Sequence, residues 1–312
     1  MKKKIILLNK FPKIIVNDLK KKFKNIQFIE NVKLDSYTTL SAIISLKRQQ
    51  FESLFLNLNL KKYVNLKWIH IPFSGAENLQ YLKKFTNIDF TNSKKIQSTQ
   101  VAEHAIGMLL ALSRKIYFLS RYGIKAKFDF LPIQLKNKKI LILGYGSVGQ
   151  AIAKKLRYFD VIISVLVNKK FKKPKFISKV YGQKDISKAF RNNDIIFIAI
   201  PLNKKTYSII SDKQLNSLKK DSLVISISRE NIFNLKSLKK FLNKKKNNQT
   251  SFGLDFFSRT FIEKNRLLSN RKNVLLTPHI AGLSDDYNDR HLKFIIKNIK
   301  NFQKNLKLEN DF

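Results

Sequence analysis

Short runs of β-branched and other apolar residues recur along the chain, separated by longer stretches whose apolar positions return every three or four residues. The runs that read as strands are KIILL (4–8), AIISL (42–46), WIHI (68–71), KILIL (139–143), VIISVLV (161–167), IIFIAI (195–200), LVISIS (223–228), FGLDFF (252–257) and NVLLT (273–277). Most lack polar alternation, the pattern of strands buried on both faces of a parallel sheet. Segments of helical length lie between them, for example 150–158 and 211–219. This alternation predicts an α/β protein built from doubly wound parallel sheets.

Two such units are predicted, one before residue 95 and one starting near residue 139, joined through the apolar helix VAEHAIGMLLALSRKI (101–116). The stretch SDDYNDRHLKFIIKNIKNFQ predicts a helix capped by Ser284, with Asp285 and Asp286 at its positive end. Leu292, Ile295, Ile296, Ile299 and Phe302 share one face of that helix, which needs a partner that the pattern does not identify.

Composition narrows the function classes. At 312 residues and 44% hydrophobic content, the chain can fill two ordinary cores. No run approaches the roughly 18 apolar residues of a membrane span, and the apolar part of MKKKIILLNK is too short for a secretory signal, so a cytoplasmic protein without a membrane partner is expected. The absence of cysteine excludes disulfides, thiolate metal sites and a cysteine nucleophile. Chemistry must then come from His, Arg, carboxylates or a cofactor, and no metal site is expected. The formal charge of +41 would attract polyanions. Its lysines are spread over the whole chain, however, as in Lys20 to Lys22, Lys83 and Lys84, and Lys244 to Lys246. A compositional bias explains such spreading better than a binding groove, so nucleic acid is not expected as a partner.

KKILILGYGSVGQAIAKKL sets Gly144, Gly146 and Gly149 in a G-x-G-x-x-G pattern directly after a strand and at the opening of a helix. The first glycine allows the tight turn, the second lets backbone approach a pyrophosphate, and the third lets helix and strand pack closely. Gly144, Tyr145, Gly146, Ser147, Val148 and Gly149 are therefore read as dinucleotide contacts. The next strand ends at Asn168, where an NAD-specific site would carry an acidic residue for the ribose 2′-hydroxyl. Asn168 and Lys169 offer an amide and a cation instead, so NAD(P) is the expected cofactor, with NADP favoured over NAD.

The order of motifs resembles the D-isomer-specific 2-hydroxyacid dehydrogenases, the family of phosphoglycerate dehydrogenase and glyoxylate/hydroxypyruvate reductase. LKWIHIPFSGAENL (66–79) looks like its substrate-loop segment and STQVAEHAIGMLLALSR (98–114) like its interdomain helix. DIIFIAIPLNKKT (194–206), LVISISRE (223–230), GLDFF (253–257) and NVLLTPHIAG (273–282) follow in family order. The resemblance implies a Rossmann NAD(P)-binding domain, residues 99–283, inserted into a flavodoxin-like substrate domain. That second domain would comprise residues 1–98 and be completed by a C-terminal helix within 284–312. It also implies an active cleft between the domains and a homodimer.

Hydride transfer to a 2-oxo acid needs a cation for the carboxylate and carbonyl, and an acid for the new alkoxide. Arg229 suits the first task, because a guanidinium grips two oxygens at once. His279 suits the second, as a side chain that gives and takes a proton near neutral pH. By resemblance, Ser74, Gly75 and Ala76 bind the substrate carboxylate through backbone N–H groups. Asp255 lies near the nicotinamide carboxamide, Pro201 and Thr206 flank the adenine side, and Ser228 joins the cofactor contacts. His104 matches the family but reads as structural within its helix, and His70 and His291 have no motif around them.

Two departures stand out. Thr260 occupies the place of the family's catalytic glutamate, and losing an orienting carboxylate can cost on the order of 10⁴ in rate. Glu263 is the nearby substitute, and Glu230 stands where the family favours glycine. The leading expectation is an NAD(P)-dependent 2-hydroxyacid dehydrogenase. The alternative is a catalytically weakened dinucleotide-binding relative that acts as a sensor or interaction scaffold.

Overall fold

The computed structural model describes residues 3–8, 11–30, 39–45, 62–72, 87–93, 95–123, 131–168, 171–244, 249–264 and 266–310. Ser74, Gly75, Ala76 and Lys169 lie outside these described residues. Among the described residues every strand pairing is parallel, in two sheets. The first sheet comprises β1 (Lys3–Leu8), β2 (Ile26–Glu30), β3 (Ala42–Ser45), β4 (Trp68–Ile71) and β5 (Asp89–Asn92). The second comprises β6 (Lys139–Leu143), β7 (Ile162–Leu166), β8 (Ile177–Tyr181), β9 (Ile195–Ile198), β10 (Leu223–Ser226), β11 (Ser251–Leu254) and β12 (Val274–Leu276). The helices are α1 (Lys13–Lys22), α2 (Ser98–Ser113), α3 (Ile116–Tyr122), α4 (Ser147–Leu156), α5 (Ile186–Asn192), α6 (Asp212–Leu215), α7 (Leu235–Asn243), α8 (Arg259–Lys264), α9 (Arg266–Ser269) and α10 (Tyr287–Gln303).

The chain divides into two compact units, Met1–Ile96 with Ser284–Phe312, and Gln97–Leu283. The first carries strand order β2-β1-β3-β4-β5, which is the flavodoxin-like order. Its core gathers Ile5, Leu7, Val16, Leu19 and Trp68 with Ile295, Ile299 and Phe302 of α10. The C-terminal helix thus finds its partner in the first sheet, with the Trp68 and Phe302 rings 5.5 Å apart. Each of those buried apolar side chains contributes about 1.5–3 kcal/mol. The helix starts at Tyr287 with Asp286 at its N-cap, later than the expected Ser284 cap. The Ser284 hydroxyl donates instead to Asp286 Oδ1 at 2.8 Å.

The second unit carries the order β12-β11-β10-β9-β6-β7-β8. Counted from β6, this is the Rossmann order with one added strand, and the direction of the strand order reverses between β6 and β9. Ligands of such sheets lie beyond the carboxyl ends of the strands at that reversal. The long apolar segment predicted as one helix is two, because Lys115 adopts a left-handed φ of 63° between α2 and α3. Among the described residues, no helix is long and apolar enough to cross a membrane.

Candidate active site

The glycine turn is built as its spacing predicts. Gly144 leaves β6 with φ 96°, and a Cβ there would lie 2.6 Å from Ala199 O of the neighbouring crossover. Gly149 is tighter still, since a Cβ would meet Gly144 O at 2.0 Å. Gly146 differs: a Cβ there would meet nothing within 4 Å. It is the N-cap of α4 and brings no side-chain cap to the helix. The start of α4 therefore opens onto free space beside glycine, where first-turn N–H groups and the helix dipole favour an anion. The turn fits a dinucleotide pyrophosphate. Tyr145 stacks obliquely on Phe171, with centroids 5.1 Å apart, and burial raises its phenol pKa. Val148 packs against the core, Ser147 opens α4, and Asn168 is exposed just beyond β7.

The neighbouring strand ends are stitched together by hydroxyls. Ser228 Oγ donates to Ile198 O at 2.9 Å and accepts from Ile200 N–H at 3.1 Å, joining the ends of β9 and β10. Thr206 Oγ1 donates to Pro201 O at 2.7 Å and accepts from Asn203 N–H at 2.8 Å. These two hydroxyls shape the loops beside the glycine turn, and Pro201 is exposed on that loop.

Arg229 follows β10, half-buried and in extended backbone, with Nη1 donating to Ser228 O at 3.1 Å. Glu230 begins a short 3₁₀ turn without a positive φ, so the backbone makes no demand for glycine there. Its carboxyl pKa is raised chiefly by burial, with the Lys239 charge opposing the effect.

His279 follows β12. Its N–H donates to Thr277 O at 3.0 Å across Pro278, a γ-turn, and its own φ is 55°. Asp255, at the end of β11 and 2% exposed, holds this bend from both sides. Its Oδ1 accepts from Thr277 Oγ1 at 2.6 Å and from Ile280 N–H at 2.9 Å, while Oδ2 accepts from Ala281 N–H at 2.9 Å. His104 of α2 completes the cluster, with Nε2 3.0 Å from Thr277 Oγ1 and 3.7 Å from Asp255 Oδ1. The Asp255 carboxylate, expected from the resemblance to lie near the nicotinamide carboxamide, accepts from the histidine loop with both oxygens. His104, read as serving its own helix, reaches out of it. Neither link is visible in sequence, because Thr277 and His104 are 173 positions apart. Glu263 is exposed on α8.

β10, β11 and β12 are adjacent, so Arg229 and His279 stand on either side of Asp255. At about 4.8 Å per strand their backbones are roughly 10 Å apart, a span that two long side chains can close on a small acid. Known proteins resemble this chain in sequence and in fold. Residues 106–281 match the family described as D-isomer specific 2-hydroxyacid dehydrogenase, NAD binding domain. The chain belongs to that family. A glyoxylate reductase of Thermococcus litoralis is 27% identical over 246 residues, covering 72% of this chain and 73% of that protein. A glyoxylate/hydroxypyruvate reductase of Arabidopsis thaliana is 30% identical over 227 residues, covering 71% and 68%. The fold matches the NADPH-dependent glyoxylate/hydroxypyruvate reductase of Sinorhizobium meliloti, solved with NADP and malonate. The TM-score is 0.75 at 19% identity, over 100% of this chain and 97% of that one. The dehydrogenase is thus an NAD(P)-dependent oxidoreductase acting on CH–OH groups.

Proposed function

We propose that this dehydrogenase works as a reductase of short 2-oxo acids of the glyoxylate and hydroxypyruvate class, with NADPH as the preferred donor. The observation that carries the reading is the three-bond hold of Asp255 on the His279 loop, one strand away from Arg229. When bound, the nicotinamide supplies the hydride. Arg229 grips the substrate carboxylate and polarises the ketone oxygen with the same planar fork. His279, protonated, gives its proton to that oxygen as the C–O bond becomes an alkoxide, and in the oxidation direction takes it back. Asp255 fixes the bend that presents the imidazole, and Thr277 and His104 fix Asp255. Ser74, Gly75 and Ala76 keep their proposed role in holding the carboxylate through backbone N–H groups.

NADP is favoured because Asn168 supplies no carboxylate to repel a 2′-phosphate. Relatives named as glyoxylate and hydroxypyruvate reductases support the substrate class. A cytoplasmic homodimer remains part of the proposal, and light scattering on the purified chain tests the dimer. The test of function is oxidation of NADPH and NADH with glyoxylate, hydroxypyruvate, pyruvate and longer 2-oxo acids. Turnover should be fastest with NADPH and the shortest acids. Binding of either cofactor without turnover of any acid would move the protein to the second reading, a dinucleotide-binding relative weakened in catalysis. That reading draws on Thr260, which stands where the family has its catalytic glutamate.

A further inference from the structure

At the edge of the first sheet where β1, β3, β4 and β5 begin, opposite the end that carries the β4 loop, lies a cavity of about 510 Å³. Its volume falls in the range of small-molecule sites. The start of β1 supplies Lys3 and Lys4, and the residue before β4 supplies Lys67. The end of α10 and the segment after it supply Phe302 and Leu308, and Asp89 supplies the one carboxylate.

Two of the three lysines here are held by neutral partners. Lys3 Nζ donates to Phe302 O at 2.9 Å and sits 4.5 Å from that residue's ring centroid. Lys4 Nζ donates to Thr39 Oγ1 at 3.1 Å. Among the described residues none of the three ammonium groups forms an ion pair. Other lysines do: Lys219 reaches Asp194 at 2.7 Å and Lys155 reaches Glu103 at 2.8 Å. A hydroxyl or a carbonyl orients an ammonium without cancelling its charge, and partly buried charge that is not cancelled attracts a counter-charge.

We propose that this cavity binds a small phosphomonoester carrying an apolar or aromatic tail. Three ammonium groups opposed by one carboxylate leave an excess of about two positive charges, matching a phosphate near its second ionisation. Lysine suits such a group as a set of mobile point charges, and the exposed Leu306 side chain offers the tail an apolar surface. An occupant would bridge the start of β1 and the end of α10, tightening the C-terminal helix on its sheet. The proposal is independent of the dehydrogenase reading.

The probe is phenyl phosphate, titrated calorimetrically into the full chain with NADPH present to fill the glycine turn. One saturable site is expected, with the dissociation constant about tenfold weaker in Lys4→Met/Lys67→Met. Lys184→Met/Lys188→Met removes the same charge from exposed positions of the other unit and should leave binding unchanged. Uncharged benzyl alcohol should not bind. Lys67→Met alone carries the test if the double variant does not fold, because Lys67 is exposed and makes no side-chain hydrogen bond. No saturable binding, or equal loss in both double variants, would overturn the proposal. The second result would show general attraction to a lysine-rich surface.

Discussion

A left-handed backbone at a residue with a Cβ costs on the order of 1–3 kcal/mol, and His279 is held there by its neighbours. Asp255 provides the hold through three hydrogen bonds to a buried carboxylate, each of the charge-assisted kind that contributes about 1.5–3 kcal/mol. Thr277→Val deletes one of them and the His104 contact together while keeping side-chain volume. Turnover should fall about 10- to 100-fold with the NADPH dissociation constant little changed, read by steady-state kinetics beside fluorescence titration. A loss confined to cofactor binding would return Asp255 to the nicotinamide. His104→Gln, which keeps a donor, should lose less than His104→Ala. The second residue-scale prediction concerns the missing carboxylate. Thr260→Glu should raise kcat and move the pH profile upward, because a negative charge beside His279 favours its protonated form. An unchanged profile would mean that the α8 position does not reach the histidine. The places of Arg229 and His279 after their strands are legible in sequence, because each follows an apolar run. The hydrogen bonds that join Asp255, Thr277 and His104 are not, since a bond between separate elements leaves no local pattern.

Among elements, the glycine turn separates folding from binding. Gly149→Ala would drive a Cβ into Gly144 O at 2.0 Å, and both are backbone positions that cannot yield cheaply. It should lower the melting temperature by several degrees, as overpacking of about 1–3 kcal/mol does. Gly146→Ala meets nothing within 4 Å, so its melting curve should be that of the parent while NADPH binding weakens. If both variants lose stability equally, the open space at Gly146 is not a ligand cradle. The strands divide in the same way between what apolar pattern shows and what it hides. The central strands are buried over most of their length and read as nearly continuous apolar runs. The strands missed by the pattern are β2, β5 and β8, all of them at sheet edges. β8 shows why: ISKVY buries only its two ends, and β5 is the polar DFTN. One side of an edge strand is unpaired, so its sequence carries less of the apolar signal.

For the molecule as a whole, the C-terminal helix makes one unit from two distant chain segments, and this places a titratable weakness inside it. His70 on β4 and His291 on α10 are both essentially inaccessible, at 0% and 1% exposure. His70 bonds Thr91 Oγ1 at 2.9 Å, whereas among the described residues neither ring nitrogen of His291 has a hydrogen-bond partner. Burial lowers the His70 pKa to about 3, with repulsion from His291 adding to the effect, and burial lowers that of His291 to about 4. Both histidines are neutral in the fold and would regain a pKa near 6.5 on unfolding. Between about 6.5 and those lowered values the unfolded chain binds more protons, so stability is greatest above about pH 6.5 and falls as the pH drops. Each histidine contributes up to roughly a tenfold shift in the folding equilibrium per pH unit across its own window. His291→Phe removes one of the two groups together with its unpaired buried nitrogens. The variant should match or exceed the parent's stability at pH 7, because an unsatisfied polar group is exchanged for an apolar one beside Tyr287 and the core. Its acid unfolding midpoint should move to lower pH, followed by circular dichroism between pH 7 and 3. An unmoved midpoint would assign acid unfolding to the carboxylates that pair with surface lysines. Asp194, whose pKa is lowered by its bonds to Lys219 and the Lys139 N–H against an opposing burial effect, would then be the next group to replace.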